Sequence, residues 1–351
     1  MTDFSLLTYG LVGVGTLAGS LLLTPAAMRL ARVVGLVDRP SSHKFHKTPT
    51  PYLGGIAVAI AVIVGTLVPG SIRLETVVVA AAAGVLAAIG ALDDWKTLRP
   101  SAKLAVQGMA AAALWVVNVR VTPTHFDPLD FALTVFLVLA IVNSLNLLDN
   151  MDGLASGVAA IAAGFFFIIA FDKGQAFVAL LCAALMGGCL GFLPYNFSRA
   201  RVFLGDAGTL FIGFLLAAVA IEVDLSGYPL ITRGAVPWLI LAAPFFDTAF
   251  VIMSRLRGGR PVFRGGTDHT SHRVVALGAT PRQAALATYM LGILSGGLAL
   301  VVVAAKSVEV TTAVVVAALV MALSLAFILE RVELPAAGVA EEAGVAASRA
   351  T

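Results

Sequence analysis

Four clusters of polar side chains interrupt an otherwise apolar chain, and their residue types suit chemistry on phosphates. Asp93 and Asp94 stand together in GALDDWKTLRPSAKLAVQ, with Lys103 ten residues after the first of them. Two adjacent carboxylates repel, so at a helix end they require a cation, a proton or a hydrogen-bond network, unless they are a water-exposed pair that ends the helix. Lys103 can hold a phosphate as a point charge, or only extend to an interface. In NSLNLLDNMDG, Asn143, Asn146, Asp149 and Asp152 recur every three residues, so neighbouring pairs can share a ligand. The row drifts about 60° per step, which suits a helix end that unwinds at Gly153 better than a straight stripe. Capping and a solvated turn account for one or two of these four residues, not for all.

The third cluster, RVFLGDAGTLFIGF, sets Asp206 between Gly205 and Gly208 at a helix start. Free N–H groups and the positive dipole end favour an anion there. Alone, Asp206 reads as an N-cap; beside the other clusters it reads as a ligand for a divalent metal that grips a pyrophosphate. Upstream, Asn196 in Pro194-Tyr195-Asn196 and Phe203 can hold and stack on a flat base, or anchor the chain at a membrane edge. The fourth cluster, SRLRGGRPVFRGGTDHTSHRVV, carries five arginines with His269 and His272. Two histidines with no cysteine make a poor zinc site, whereas Arg with His suits oxyanion recognition. Basic loop charge alone explains the arginines but not the paired histidines.

Eleven apolar stretches position these clusters, at roughly 5–28, 53–70, 76–92, 103–119, 129–146, 154–171, 174–193, 208–222, 235–254, 284–304 and 310–329. Each approaches the ~20 residues that cross a bilayer core. Hydrophobic residues make up 59% and charged residues 12%, and mean hydropathy is +0.97, well outside soluble-domain composition. Numbering the connections alternately leaves only Arg73, Arg120, Lys173, Arg233 and Lys306 on the side of the N-terminus, and the other 18 of the 23 Lys and Arg opposite. The positive-inside rule makes that opposite side cytoplasmic, N-terminus out and C-terminus in. All four clusters fall on it. The expected fold is therefore all-α, a polytopic protein of the cell (inner or plasma) membrane with about eleven spans, one bundle over 1–334 and a disordered cytoplasmic tail over 335–351.

The net charge of +3 belongs to the inside loops and calls for anionic lipid and phosphate rather than nucleic acid. Met1-Thr2-Asp3 lacks a basic leader, and Arg29 and Arg32 follow the first run, so that run reads as a retained span. Cys182 and Cys189 share one predicted helix and cannot bond to each other. Gly187 and Gly191 form a small-xxx-small pair: a helix contact within the bundle, or a homodimer face.

These four segments, in this order and on one side, resemble the polyprenyl-phosphate N-acetylhexosamine-1-phosphate transferases of glycosyltransferase family 4. The likeness begins at DRPSSHKFHKTPTPYLGG and runs from about Asp38 to Arg273. It implies that Asp93, Asp94 and Asp149 are catalytic carboxylates and that Asp206, with Asn146, binds magnesium (or manganese). It assigns Lys103, Asp152, Asn196, Phe203, His269, His272 and Arg273 to substrate, with Phe203 stacking on uracil. Two departures stand out. The family reads Asp-Gly-x-Asp-Gly where this chain has Asn150 for the first Gly, and His-x-His-His-Arg where it has Ser271 for the middle His. An intact triple His marks the muramyl-pentapeptide branch, so its loss favours the N-acetylglucosamine branch.

The implied reaction joins a UDP-N-acetylhexosamine to a polyprenyl phosphate. The lipid phosphate attacks the β-phosphorus, UMP leaves, and a polyprenyl-diphospho-sugar remains for cell-wall or surface polysaccharide. Asp93 or Asp94 would orient or deprotonate the carrier, whose second pKa is about 6; a covalent aspartate in two steps is the alternative. Two rivals differ in pattern. A secondary transporter would place carboxylates near the midplane in matching halves, and an intramembrane prenyltransferase would favour paired Asp-x-x-x-Asp sets without a uracil-stacking Phe.

Overall fold

Within a bilayer the backbone satisfies its own polar groups, and a helix does this inside one segment. The apolar runs accordingly fold as helices. The computed structural model describes residues 4–38, 49–68, 73–262 and 266–332. Most of the first inside loop, Arg264 and the expected tail lie outside the described residues. The helices are α1 (Leu6–Val33), α2 (Gly54–Leu67), α3 (Leu74–Lys96), α4 (Pro100–Val116), α5 (Asp127–Leu148), α6 (Leu154–Asp172) and α7 (Ala176–Asn196). They continue as α8 (Gly205–Glu222), α9 (Leu230–Ile240), α10 (Ala242–Arg257), α11 (Thr270–Ala276), α12 (Pro281–Ala305) and α13 (Val308–Glu330). Among the described residues the only strands are β1 (Val37–Asp38) and β2 (Thr50–Pro51), antiparallel, with Val37 opposite Pro51.

All eleven apolar runs are helical, but they do not all qualify as spans. Among the described residues eight helices are long and apolar enough to cross a membrane, and nine if α9 and α10, bent by 79°, count as one. The shortfall from eleven is α2, with 14 residues, and α4, with 17, both under the ~20 a bilayer core takes. The break between α9 and α10 falls at Leu241, flanked by Pro237 and Pro244. Each proline lacks an N–H and crowds the preceding turn.

The core lies around α7 and α8, each with 72% of its span buried, while α13 at 6% is peripheral. Gly187 and Gly191 are where α1 lies against α7. A Cβ at either would collide with the carbonyl oxygen of Gly13 or of Leu17. The small-xxx-small pair is thus filled by α1 from within the chain, and the dimer reading of that face is not supported. Cys182 and Cys189 are buried free thiols. Alternating helices bring the end of α3, the start of α4, the end of α5 and the start of α8 to one end of the bundle.

Candidate active site

At that end, residues far apart in sequence meet through one ammonium group. Lys103 Nζ, in the first turn of α4, donates to Asp93 Oδ2 at 2.9 Å and to Asp206 Oδ2 at 2.8 Å. Asn146 Nδ2, in the last turn of α5, donates to Asp206 Oδ1 at 2.9 Å and Thr209 Oγ1 at 2.8 Å. The adjacent aspartates are compensated separately. Asp93 also takes the Leu98 N–H, whereas Asp94 accepts from the backbone N–H of Asp206 at 2.9 Å and of Ala207 at 3.3 Å. No local side chain caps α8; Asp94 does so from the neighbouring helix, supplying the anion that a helix N-terminus favours. Gly205, at φ 68°, makes room, since a Cβ there would strike the Asp94 carboxylate.

The Asn–Asp row divides as its angular drift requires. Asn143, one turn deeper, donates to Gln107 Oε1 at 2.7 Å. Asp149 follows the last turn of α5. Burial pushes its carboxyl up to about 8, with the charges of Asp206, Asp94 and Asp152 adding to the shift. Asp152 accepts from the N–H groups of Arg199, at 3.1 Å, and Ala200, at 2.8 Å, so it shapes the loop between α7 and α8. Asn196 is buried with both ends of its amide engaged. It accepts from Gly153 N at 2.9 Å and donates to Val202 O at 3.0 Å. The expected nucleotide contact for Asn196 therefore meets a side chain that pins two turns together. Phe203 is half-buried and faces Tyr52, ring centroids 5.7 Å apart. Tyr52, not singled out from sequence, is raised by burial and by Asp38, Asp94, Asp206 and Asp149, which places it beside the cluster.

The histidine loop forms a second network. Asp247, buried in α10, accepts from Thr270 N at 2.8 Å and Thr270 Oγ1 at 2.7 Å, and lies 2.7 Å from His269 Nδ1. His272 stands against His269, centroids 6.1 Å apart; burial and then His269 lower it to about 4. Arg273, expected at the substrate, is spent inside the protein. Its Nη1 donates to the carbonyls of Leu329, Glu330 and Val332 and its Nη2 to Ser254 Oγ, closing the end of α13. Burial works against the charge of Asp268, but Arg255 and Arg260 hold its carboxyl below the usual range. The two departures noted in the sequence touch each other: Ser271 Oγ donates to Asn150 Oδ1, joining α11 to the α5–α6 turn beside Asp149. Sequence reasoning missed Asp247, whose signal was a lone aspartate in the apolar run PFFDTAF.

The donors fit a hard divalent cation. The position between Asp93 and Asp206 already holds a positive charge, the Lys103 ammonium, and the ligating atoms on offer are oxygens. Among the described residues no three His, Cys, Asp or Glu side chains converge on one metal position. Magnesium is a cation of that class, bound through one or two carboxylates together with water and phosphate oxygens.

Comparison with known proteins identifies the family. The family model described as "Glycosyl transferase family 4" matches residues 76–224, from the start of α3 to just past α8. The chain is 32% identical over 287 residues to "Probable undecaprenyl-phosphate N-acetylglucosaminyl 1-phosphate transferase" of Bacillus subtilis, covering 78% of each. It is 32% identical over 330 residues to the decaprenyl-phosphate N-acetylglucosaminephosphotransferase of Mycobacterium tuberculosis, covering 82% of this chain and 81% of that one. The undecaprenyl-phosphate alpha-N-acetylglucosaminyl 1-phosphate transferase of Escherichia coli K12 is 30% identical over 278 residues, 74% of each.

Proposed function

The chain belongs to glycosyl transferase family 4, and from that premise we propose that it transfers N-acetylglucosamine-1-phosphate from UDP-N-acetylglucosamine to a polyprenyl phosphate, releasing UMP. The observation that carries this reading is the bridge of Lys103 between Asp93 and Asp206, reinforced by Asn146. Three sequence-distant motifs thereby gather charge of both signs at one end of a membrane bundle. Transfer between two anions needs positioning and charge neutralisation more than covalent help.

A magnesium ion held by Asp206, with Asn146 beside it, would neutralise the pyrophosphate. Lys103, released from its carboxylates, meets the remaining phosphate charge. Asp94 is engaged in capping α8, so Asp93 is the member of the pair that orients the carrier phosphate or takes its proton. The carrier oxygen bonds to the β-phosphorus as the bond to the UMP oxygen breaks. Asp149, whose carboxyl burial raises, would donate a hydrogen bond to a phosphate oxygen whenever it holds its proton. Phe203, beside Tyr52, offers its face to uracil. The site opens on the cytoplasmic side of the plasma membrane by the distribution of Lys and Arg, with the N-terminus outside. The carrier's tail stays in lipid, each buried CH₂ contributing about 0.8 kcal/mol.

The test is UMP release by purified protein in detergent with polyprenyl phosphate, magnesium and UDP-N-acetylglucosamine. Release that requires both lipid and metal is expected. Release only with UDP-N-acetylmuramyl-pentapeptide would move the chain to the other branch, and release with neither would refute the transferase.

A further inference from the structure

Asp247 lies in the apolar part of α10, two turns before the cluster that starts at Ser254 and outside every motif named above, yet it is only 1% exposed and compensates its buried charge with three contacts. Oδ1 accepts both the N–H and the hydroxyl of Thr270, and Oδ2 meets His269 Nδ1. An ionised carboxylate only accepts, so the hydrogen of this bond sits on Nδ1 whichever charge the ring carries. Nε2 is then the nitrogen left for another partner, since the bond made by one ring nitrogen sets the state of the other.

The short helix behind the ring is fixed from several sides. Asp247 holds His269 and Thr270, Asn150 holds Ser271, and the carbonyls at the end of α13 with Ser254 hold Arg273. Asn150 is next to Asp149 in sequence, so the Ser271 bond brings α11 against the turn that carries the carboxylates. A helix of seven residues tied at its N-cap and at three positions of its first turn has little freedom to reorient, and such preorganisation is what transfer between bound groups needs.

We propose that Asp247 is a positioning residue of the transferase site, one that fixes the imidazole of His269 with Nδ1–H directed inward and Nε2 presented to the phosphate of the nucleotide-sugar. The proposal rests on the transferase reading. Asp247 touches no substrate and acts through His269.

The test is a cycle of four full-length proteins in the UMP-release assay: wild type, Asp247→Asn, His269→Gln and the double variant. Asn keeps an oxygen for Thr270, so the start of α11 retains its cap, but its amide group confronts Nδ1 and favours the other tautomer. Asp247→Asn should lower kcat by about 100-fold, in the range of positioned proton-bearing groups, with the KM for polyprenyl phosphate within about twofold of wild type. In the His269→Gln background the same change should have no further effect on kcat. Losses that multiply across the two sites would overturn the proposal, as would a wild-type kcat in Asp247→Asn with only the melting temperature reduced. If the Asn variant does not insert, Asp247→Glu enters the same cycle, keeping the charge but displacing it by one methylene. A wild-type protein that releases no UMP defeats the transferase reading itself, which is distinct from an active wild type whose cycle is multiplicative.

Discussion

Replacing Lys103 by Met keeps the side-chain length and removes the charge between Asp93 and Asp206. The ammonium stands 2.9 Å from one carboxylate oxygen and 2.8 Å from the other, so its loss leaves two anions facing across the width of one nitrogen. At a separation of about 5 Å and an effective dielectric of about 20, their repulsion is about 3 kcal/mol. The three side chains are 12–22% exposed, so solvent screens part of this, leaving about 1–2 kcal/mol, roughly tenfold in an equilibrium. A divalent cation relieves the same repulsion. The magnesium concentration for half-maximal activity should therefore fall by roughly tenfold, while turnover also falls because the substrate phosphate has lost a counter-charge. A lysine that only extends to the interface predicts neither change. The assay is UMP release against magnesium at saturating substrates, with the melting temperature in chelator as a second readout. Unchanged turnover and unchanged magnesium demand would refute the bridge, and a higher demand would refute the idea that Lys103 and the metal compete for these oxygens.

Asp206→Ala should abolish activity while the protein still inserts; residual activity with wild-type magnesium dependence would remove Asp206 as the metal ligand. The Asn150–Ser271 bond should appear in a double-mutant cycle of Asn150→Ala and Ser271→Ala as a coupling of about 1 kcal/mol in stability, and strict additivity would show that it does not form. Arg273→Ala should lower the melting temperature, since it strips the carbonyls at the end of α13 of their donor, and should leave the KM for the UDP-sugar unchanged; a raised KM at constant stability would return Arg273 to the substrate. His272 is lowered to about 4 from an ordinary 6.5, so between those values the unfolded chain binds the proton more readily than the folded one. Stability should fall as pH drops from 6.5 to 4, and His272→Gln should flatten the melting profile across that window; an unaltered slope would contradict the burial of the ring.

The sequence was informative wherever a polar residue broke an apolar run. Asp93, Lys103, Asn146 and Asp206 were conspicuous because a bilayer penalises such groups, and these are the residues that converge. Residue type carried less information about who partners whom. Asp94 resembles Asp93 in sequence, yet it caps α8, an arrangement set by the approach of two helices separated by more than 100 residues. Arg273 looked like a phosphate ligand because the carbonyls it binds belong to backbone, which leaves no mark on side-chain pattern. Asp247 stayed hidden as a lone acid in an apolar run, its partners 22 and 23 residues on. The helices that meet the length of a span are fewer than the apolar runs because hydropathy registers α2 and α4 as apolar without registering how short their helices are.

The seating of α1 against Gly187 and Gly191 has a consequence for biogenesis. Chains grow from the N-terminus, so α1 enters the membrane with Thr16, Ser20 and Thr24, which are buried in the finished protein, still facing lipid or a temporary partner. The backbone groove that receives it does not exist until α7 has been made, after five further helices. Closure of the bundle is thus timed by the arrival of α7, and in a nascent chain that stops before Ala176 the first helix has α2 to pack against but not the groove of α7.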